Sequence, residues 1–347
     1  MGVNLRVKIE KVAHGGVFVA RHEGRVIFVT GAIDGEVVDV EVTEDAGKFL
    51  RATVTNVVEA SEYRQPHFWK AAREGAGGAE FGHINLSHQR ELKSQVLAEA
   101  LQRMAGIDLE TEVEACPQET DGLHYRTRVQ LNVDASGTAG PMRPRSNEAV
   151  FSPTLPLAVT EIEELGLQLK NWNGVKKISI AASSTGDLQW LVDDKLHGSE
   201  RLVERAAGRT FRLSSGAFWQ VHKDAANLLT KAVFDAAELL EFDPAKPALD
   251  LYAGAGLFAA TMAAKYGSTS FTAVENNKQA VADGTKSAID LSNLKFERSD
   301  VLQYLRVASA KPGNFDTVVL DPPRSGAAGK VIEQLIKLKP RNIIYVA

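Results

Sequence analysis

Residues 247–260 read Pro-Ala-Leu-Asp-Leu-Tyr-Ala-Gly-Ala-Gly-Leu-Phe-Ala-Ala: a short apolar strand, a tight glycine turn and the start of a helix. Gly254 and Gly256 let the backbone turn sharply and approach a ligand, and the helix N-terminus that follows favours a polar or anionic group. The third glycine of a dinucleotide fingerprint is absent, because Ala259 stands in its place. Helical and strand patterns alternate on both sides of this turn. Helices are predicted over 222–240, 257–267, 277–292, 301–309 and 328–339, and strands over 247–254, 269–277, 294–300, 315–323 and 342–347. Such alternation predicts an α/β domain, a doubly wound parallel sheet whose ligands sit at the carboxyl ends of its strands.

Those strand ends carry the candidate site. The second predicted strand ends at Glu275, and Asp250 precedes the glycine turn. A carboxylate at Glu275 can accept both ribose hydroxyls of an adenosine. On the residues alone three readings of the turn stay open: a bare turn, a nicotinamide-type cofactor site and an S-adenosylmethionine site, with the two carboxylates weighing toward the last. Asp300, ending the third strand, can hold an adenine amino group or cap the helix beginning at Val301, and the two roles are compatible. The fourth strand ends Val318-Val319-Leu320-Asp321-Pro322-Pro323-Arg324, a carboxylate in a loop stiffened by two prolines.

Two further regions precede this domain. Residues 1–60 are short β segments punctuated at His14-Gly15-Gly16, Glu23-Gly24, Asp34-Gly35 and Ala46-Gly47, which predicts a small antiparallel barrel. Residues 61–215 read as a central α+β domain, leaving 216–347 to the α/β domain. Within the central part, Leu92, Val96, Leu97, Ala100, Leu101 and Met104 share one helical face, with Ser87 as the expected N-cap and Gly106 as the stop. Strand-like stretches cover 125–137 and 176–194, with a helical pattern over 157–172 between them.

Composition narrows the classes. The 347 residues are 44% hydrophobic and 24% charged, ordinary for a water-soluble globular protein. No segment of about 18 apolar residues exists to span a bilayer, and no signal-peptide core opens the chain, so a cytoplasmic location is expected. The formal net charge of −4 gives nucleic-acid binding no support by itself. The single cysteine, Cys116, excludes a disulfide framework and a cysteine-rich metal site, and the eight histidines show no metal-ligand spacing.

The segments 218–229 (FWQVHKDAANLL), 249–258 (LDLYAGAGLF), 274–277 (VENN), 321–326 (DPPRSG) and 343–347 (IIYVA) together resemble the RNA (uracil-5-)-methyltransferase family, which makes 5-methyluridine in rRNA and tRNA. Residues 14–36 are similar to that family's RNA-binding TRAM barrel, and 125–133 to its central domain. The resemblance implies a Rossmann-like class I methyltransferase domain with S-adenosylmethionine as cofactor and RNA as partner. It implies cofactor contacts at Gln220, Tyr252, Gly254, Gly256, Glu275, Asp300 and Asp321, and places Pro322 and Arg324 on the substrate side. It also implies that the helix at about 88–105 packs against the catalytic domain.

In that family a nucleophilic cysteine follows the strand matching 343–347 at once, and a glutamate general base comes later. A thiolate adding at C6 of uracil turns C5 into an enolate carbon able to attack a methyl donor. Here the cysteine is expected immediately after Ala347, outside these residues, so the 347-residue chain is expected to be catalytically inactive and C-terminally incomplete. Cys116, in a polar stretch before Pro117, is not a substitute. Many members hold a 4Fe–4S cluster, but Ala76, Ala79 and Leu155 occupy ligand positions here, so a cluster-free protein is expected. Arg324 in place of an aromatic disfavours amino-group methylation of bases. The alternatives are a non-catalytic protein binding RNA and S-adenosylmethionine, and a small-molecule methyltransferase. A monomer is expected when complete, with an association-prone edge at 342–347 otherwise.

Overall fold

A computed structural model describes residues 3–117, 119–144, 146 and 148–346. Ala347, after which the nucleophile is expected, lies outside the described residues. The chain divides into two compact units. One comprises Met1–Leu123, Leu131–Pro156 and Leu167–Lys176; the other comprises His124–Gln130, Leu157–Gly166 and Lys177–Ala347. The division therefore runs through the expected central domain and shares its segments between the two.

In the first unit, β1 (Asn4–Ala13), β2 (Val17–His22), β3 (Arg25–Thr30), β4 (Val37–Asp45) and β5 (Phe49–Glu59) close into a barrel of order β1-β2-β3-β5-β4. Alternate residues fill it: Phe18 and Ala20, Ile27 and Val29, Val38 and Val40. A bulge between Ile9 and Lys11 shifts the phase of β1, so that Val12 rather than Lys11 turns inward. Glu23 and Gly24 both take positive φ, the geometry a two-residue hairpin demands. Buried Glu36 is matched by Arg64, and its carboxylate also accepts the amides of Ile33 (2.9 Å) and Ser61 (3.1 Å).

The short α1 (Lys70–Arg73) and the long α2 (Leu86–Ala105) follow. The N-cap of α2 is Asn85, whose side chain accepts from the His88 amide, not the expected Ser87, which instead donates its hydroxyl to Asn85 (2.9 Å). Gly106, at φ 65°, ends the helix as expected. Leu92 and Val96 pack into the barrel core, whereas Leu97 and Met104 of the same predicted face are exposed. Strands β6 (Arg128–Val133) and β7 (Ala139–Gly140) come next.

The second unit has α3 (Thr160–Glu164), then β8 (Lys177–Ala182), β9 (Leu188–Val192) and β10 (Lys195–Gly198) as an antiparallel meander, and the hairpin β11 (Arg201–Ala206) and β12 (Arg209–Ser214). The helix predicted across 157–172 is reduced to α3, because Gly166 adopts φ 60° and breaks the pattern. Five αβ pairs complete the unit: α4 (Ala225–Leu239) and β13 (Ala248–Leu251), α5 (Leu257–Lys265) and β14 (Phe271–Glu275), α6 (Lys278–Ser287) and β15 (Leu294–Arg298), α7 (Val301–Ala308) and β16 (Thr317–Leu320), α8 (Gly329–Leu338) and β17 (Asn342–Tyr345).

The five strands form an all-parallel sheet of order β15-β14-β13-β16-β17. Every residue of β13 and β16 is buried, as befits strands covered on both faces. Ala248 and Val319 face a core shared with α4 and α5, whereas Leu249, Leu251, Val318 and Leu320 face one shared with α7 and α8. The β11–β12 hairpin belongs to this unit: Leu202, Phe211 and Leu213 enter the α4/α5 core. Arg209 also forks onto Asp290 with two 2.7 Å bonds, and the amide and hydroxyl of Ser214 both donate to buried Asp283.

Candidate functional site

After β13 the chain builds β14 and β15 on one side, then returns to place β16 and β17 on the other. The order of strands reverses beside β13, and the crevice at the carboxyl ends there is where such sheets take ligands. Glu275 ends β14, and Tyr252, Gly254, Gly256, Asp300, Asp321, Pro322 and Arg324 follow the ends of their strands, as their positions in the sequence predict. Gln220 comes from the segment before α4, where its carbonyl accepts from the Thr127 hydroxyl (3.3 Å) and its neighbour Trp219 is buried in the core with Ala255 and Leu257.

Three backbone positions shape the turn. Tyr252, Gly254 and Gly256 all have positive φ (61°, 56° and 82°), which strains the tyrosine and suits the glycines. A Cβ on Gly254 would meet nothing within 4 Å, so the glycine leaves open space. A Cβ on Gly256 would stand 2.5 Å from the Phe296 ring. Phe296, on β15, thus props the turn from behind, and Gly284 of α6 meets the same ring equally closely.

Carboxylates hold the turn in place. Glu275 accepts the amide of Gly254 at one oxygen (3.0 Å) and that of Asn277 at the other (2.7 Å). It is therefore a staple for the loop, with lone pairs left over for a ligand. Asp250 accepts the Ala259 amide (2.8 Å), pinning the first turn of α5 to β13. It is 2% exposed, and its other oxygen is buried without a hydrogen-bond partner. Burial pushes its carboxyl up to about 7, helped by the neighbouring charges of Asp321 and Glu275. Burial likewise raises Asp321. Asp300 caps α7 by accepting the Gln303 amide (3.0 Å), so the capping role holds whatever else it does. Burial, with Asp300 and Tyr345 adjacent, raises the Tyr252 hydroxyl above its ordinary range.

Beyond Asp321 the loop closes with Gly326 donating to the Pro323 carbonyl (2.7 Å), and Pro323, Arg324 and Ser325 are exposed. The Tyr345 hydroxyl reaches the Ala327 amide at 3.4 Å. Neither Tyr345 nor Phe296 was signalled by spacing; the first reaches the loop after β16, and the second lies against the turn after β13 and against α6. Phe218 lies in the 218–229 motif, but only the structure shows it 74% exposed beside buried Trp219. None of these strand ends bears a thiol among the described residues. Cys116 lies in a loop of the other unit. No described helix is long and apolar enough to cross a membrane.

Barrel and sheet together define a class of protein: a Rossmann-like class I methyltransferase domain carried with an N-terminal TRAM-type barrel. Comparison bears this out. The TRAM domain family matches residues 2–55, and the methyltransferase small domain family matches residues 208–342. An uncharacterised RNA methyltransferase of Streptomyces avermitilis is 35% identical over 390 residues, covering 100% of this chain and 89% of that protein. Another, from Corynebacterium glutamicum, is 32% identical over 362 residues, covering 99% and 86% respectively. In fold, the chain is similar to the tRNA (uracil-54, C5)-methyltransferase of Pyrococcus abyssi, solved with S-adenosyl-L-homocysteine. That match has a TM-score of 0.72 and 19% identity, over 98% of this chain and 90% of that one. The chain belongs to the TRAM-domain RNA methyltransferases.

Proposed function

We propose that this protein serves the transfer of a methyl group from S-adenosylmethionine to C5 of a uridine in rRNA or tRNA. The observation that carries the reading is the constellation at the switch point of the sheet. Glu275 staples an open glycine turn, buried Asp250 has one orphaned oxygen, and Asp321 stands in a proline-stiffened loop, all within an RNA methyltransferase family member. The orphaned oxygen and the unfilled space over Gly254 fit a cationic cofactor laid across the turn. When bound, S-adenosylmethionine supplies an electrophilic methyl on a sulfonium.

The chain's own residues hold and orient. Glu275 accepts the ribose hydroxyls with the lone pairs its backbone contacts leave free. Tyr252 and Gly254 form the floor of the turn, and Asp300 offers its second oxygen to the adenine amino group. Gln220, fixed by its buried neighbour Trp219, closes the opposite side. Exposed Phe218 gives an RNA base a stacking face, worth roughly 1–3 kcal/mol by the usual measure of such contacts. Pro322 and Arg324 face the RNA from a loop that holds one geometry. The protein carries no iron–sulfur cluster, since Ala76, Ala79 and Leu155 offer no thiolate. The thiol that the resemblance places immediately after Ala347 is not among these residues, and Cys116 takes no part.

Gene deletion tests the reaction. RNA mass mapping should show one uridine losing its 5-methyl group, and loss of a different modification, or of none, would overturn the assignment. The 347-residue polypeptide should bind S-adenosylmethionine in calorimetry and form no covalent adduct with 5-fluorouridine RNA. An adduct would return the nucleophile to Cys116.

A further inference from the structure

Asp250 is the least comfortable group in the second unit. Its side chain is almost wholly buried, one oxygen accepts the Ala259 amide, and the other has no partner. The charged groups around it offer no relief. At the end of β14 stands Glu275 and at the end of β16 stands Asp321, both negative. The only ionisable side chain of α5 is Lys265, in its last turn and bound to Glu238 of α4 (2.6 Å). The remaining ionised side chains of α4, Lys231 and Asp235, pair with each other on the surface. Arg298, the register partner of Glu275 on β15, is exposed. A buried carboxylate with no cation near it costs several kcal/mol, and neutralisation is the usual escape.

Building on the cofactor reading above, we propose that Asp250 holds a proton in the cofactor-free protein and releases it to solvent when the cationic end of S-adenosylmethionine binds. The O–H bond of the carboxyl breaks, the proton passes to water, and the cofactor's positive charge replaces it opposite the freed oxygen. Cofactor capture and proton release are then one coupled event. Three carboxylates, unfavourable together in the empty protein, become the counter-charge for the ligand.

Calorimetric titration of the 347-residue protein with S-adenosylmethionine, in buffers of different ionisation enthalpy, counts the protons. Relative to Asp250→Asn, the wild type should release close to one proton per cofactor at pH 6 and almost none at pH 8. Its affinity should rise about tenfold from pH 6 to pH 8, as a single released proton with the carboxyl at about 7 requires, while the variant's changes less. A second readout does not depend on the variant folding. The infrared band of a protonated carboxyl should be present in the free wild-type protein and vanish on adding cofactor. Binding without buffer dependence at pH 6, or a variant that releases the same proton, would overturn the proposal while leaving the cofactor assignment intact. Absence of any binding would overturn both.

Discussion

The two glycines of the turn look alike in the sequence and should behave oppositely when given a methyl group. Gly254→Ala introduces a Cβ into open space, so its only cost to the fold is backbone strain at φ 56°, about 1–2 kcal/mol. Gly256→Ala incurs a similar strain at φ 82° and also drives a Cβ to 2.5 Å from the Phe296 ring. That ring is wedged between Gly256 and Gly284, so it has little room to retreat. Overpacking of this kind adds about 1–3 kcal/mol, giving a total of about 2–5 kcal/mol. Against the usual 5–15 kcal/mol of a folded domain, the second change is serious and the first tolerable. Urea unfolding should therefore rank wild type first, Gly254→Ala close behind and Gly256→Ala well below. Cofactor affinity should rank differently. Gly254→Ala fills the space reserved for the ligand, so binding should be lost from a protein that still unfolds near the wild-type midpoint. If Gly254→Ala bound S-adenosylmethionine normally, the open space over that residue would not be the cofactor's seat. If Gly256→Ala were as stable as Gly254→Ala, the Phe296 wedge would be wrong.

Three further outcomes follow from other parts of the chain. Arg209 holds the Asp290 carboxyl down at about 2, so the clamp between the β11–β12 hairpin and the segment after α6 is present above about pH 4 and lost as pH falls toward 2; Asp290→Asn should flatten the acid limb of the stability profile there. His83, buried and bonded to the Ala32 carbonyl, is depressed to about 4, so it favours the folded barrel unit fully above about pH 6.5 and progressively less as pH falls to 4; a His83→Gln protein that kept the same pH dependence in that window would exclude it as the cause. The edge strand β17 exposes Ile343 and Tyr345, and concentration-dependent association seen by sedimentation should diminish in Ile343→Lys; equal association would place the contact elsewhere.

The sequence determined the elements because their information is local. A strand buried on both faces shows as an apolar run, a hairpin as glycine beside a polar residue, and a βα turn as Gly254 and Gly256; the barrel hairpins and the parallel sheet follow from those patterns, whereas the parallel pairing of β3 with β5, in a barrel expected to be antiparallel, does not. It also placed most of the candidate site, since strand-end residues are fixed once the strands are known. Tertiary structure decided what depends on partners far along the chain. Asn85 took the cap expected of Ser87 because its side chain reached the His88 amide. The β11–β12 hairpin joined the α/β unit because Arg209 and Ser214 found Asp290 and Asp283, some 70 to 80 residues away. Glu275 became a loop staple as well as a ligand candidate only when the parallel register brought its carboxylate to the Gly254 amide. The sequence marks Asp250 only as a carboxylate beside the glycine turn. Burial among two other carboxylates, with one oxygen left unpartnered, is a property of the packed sheet and of nothing shorter.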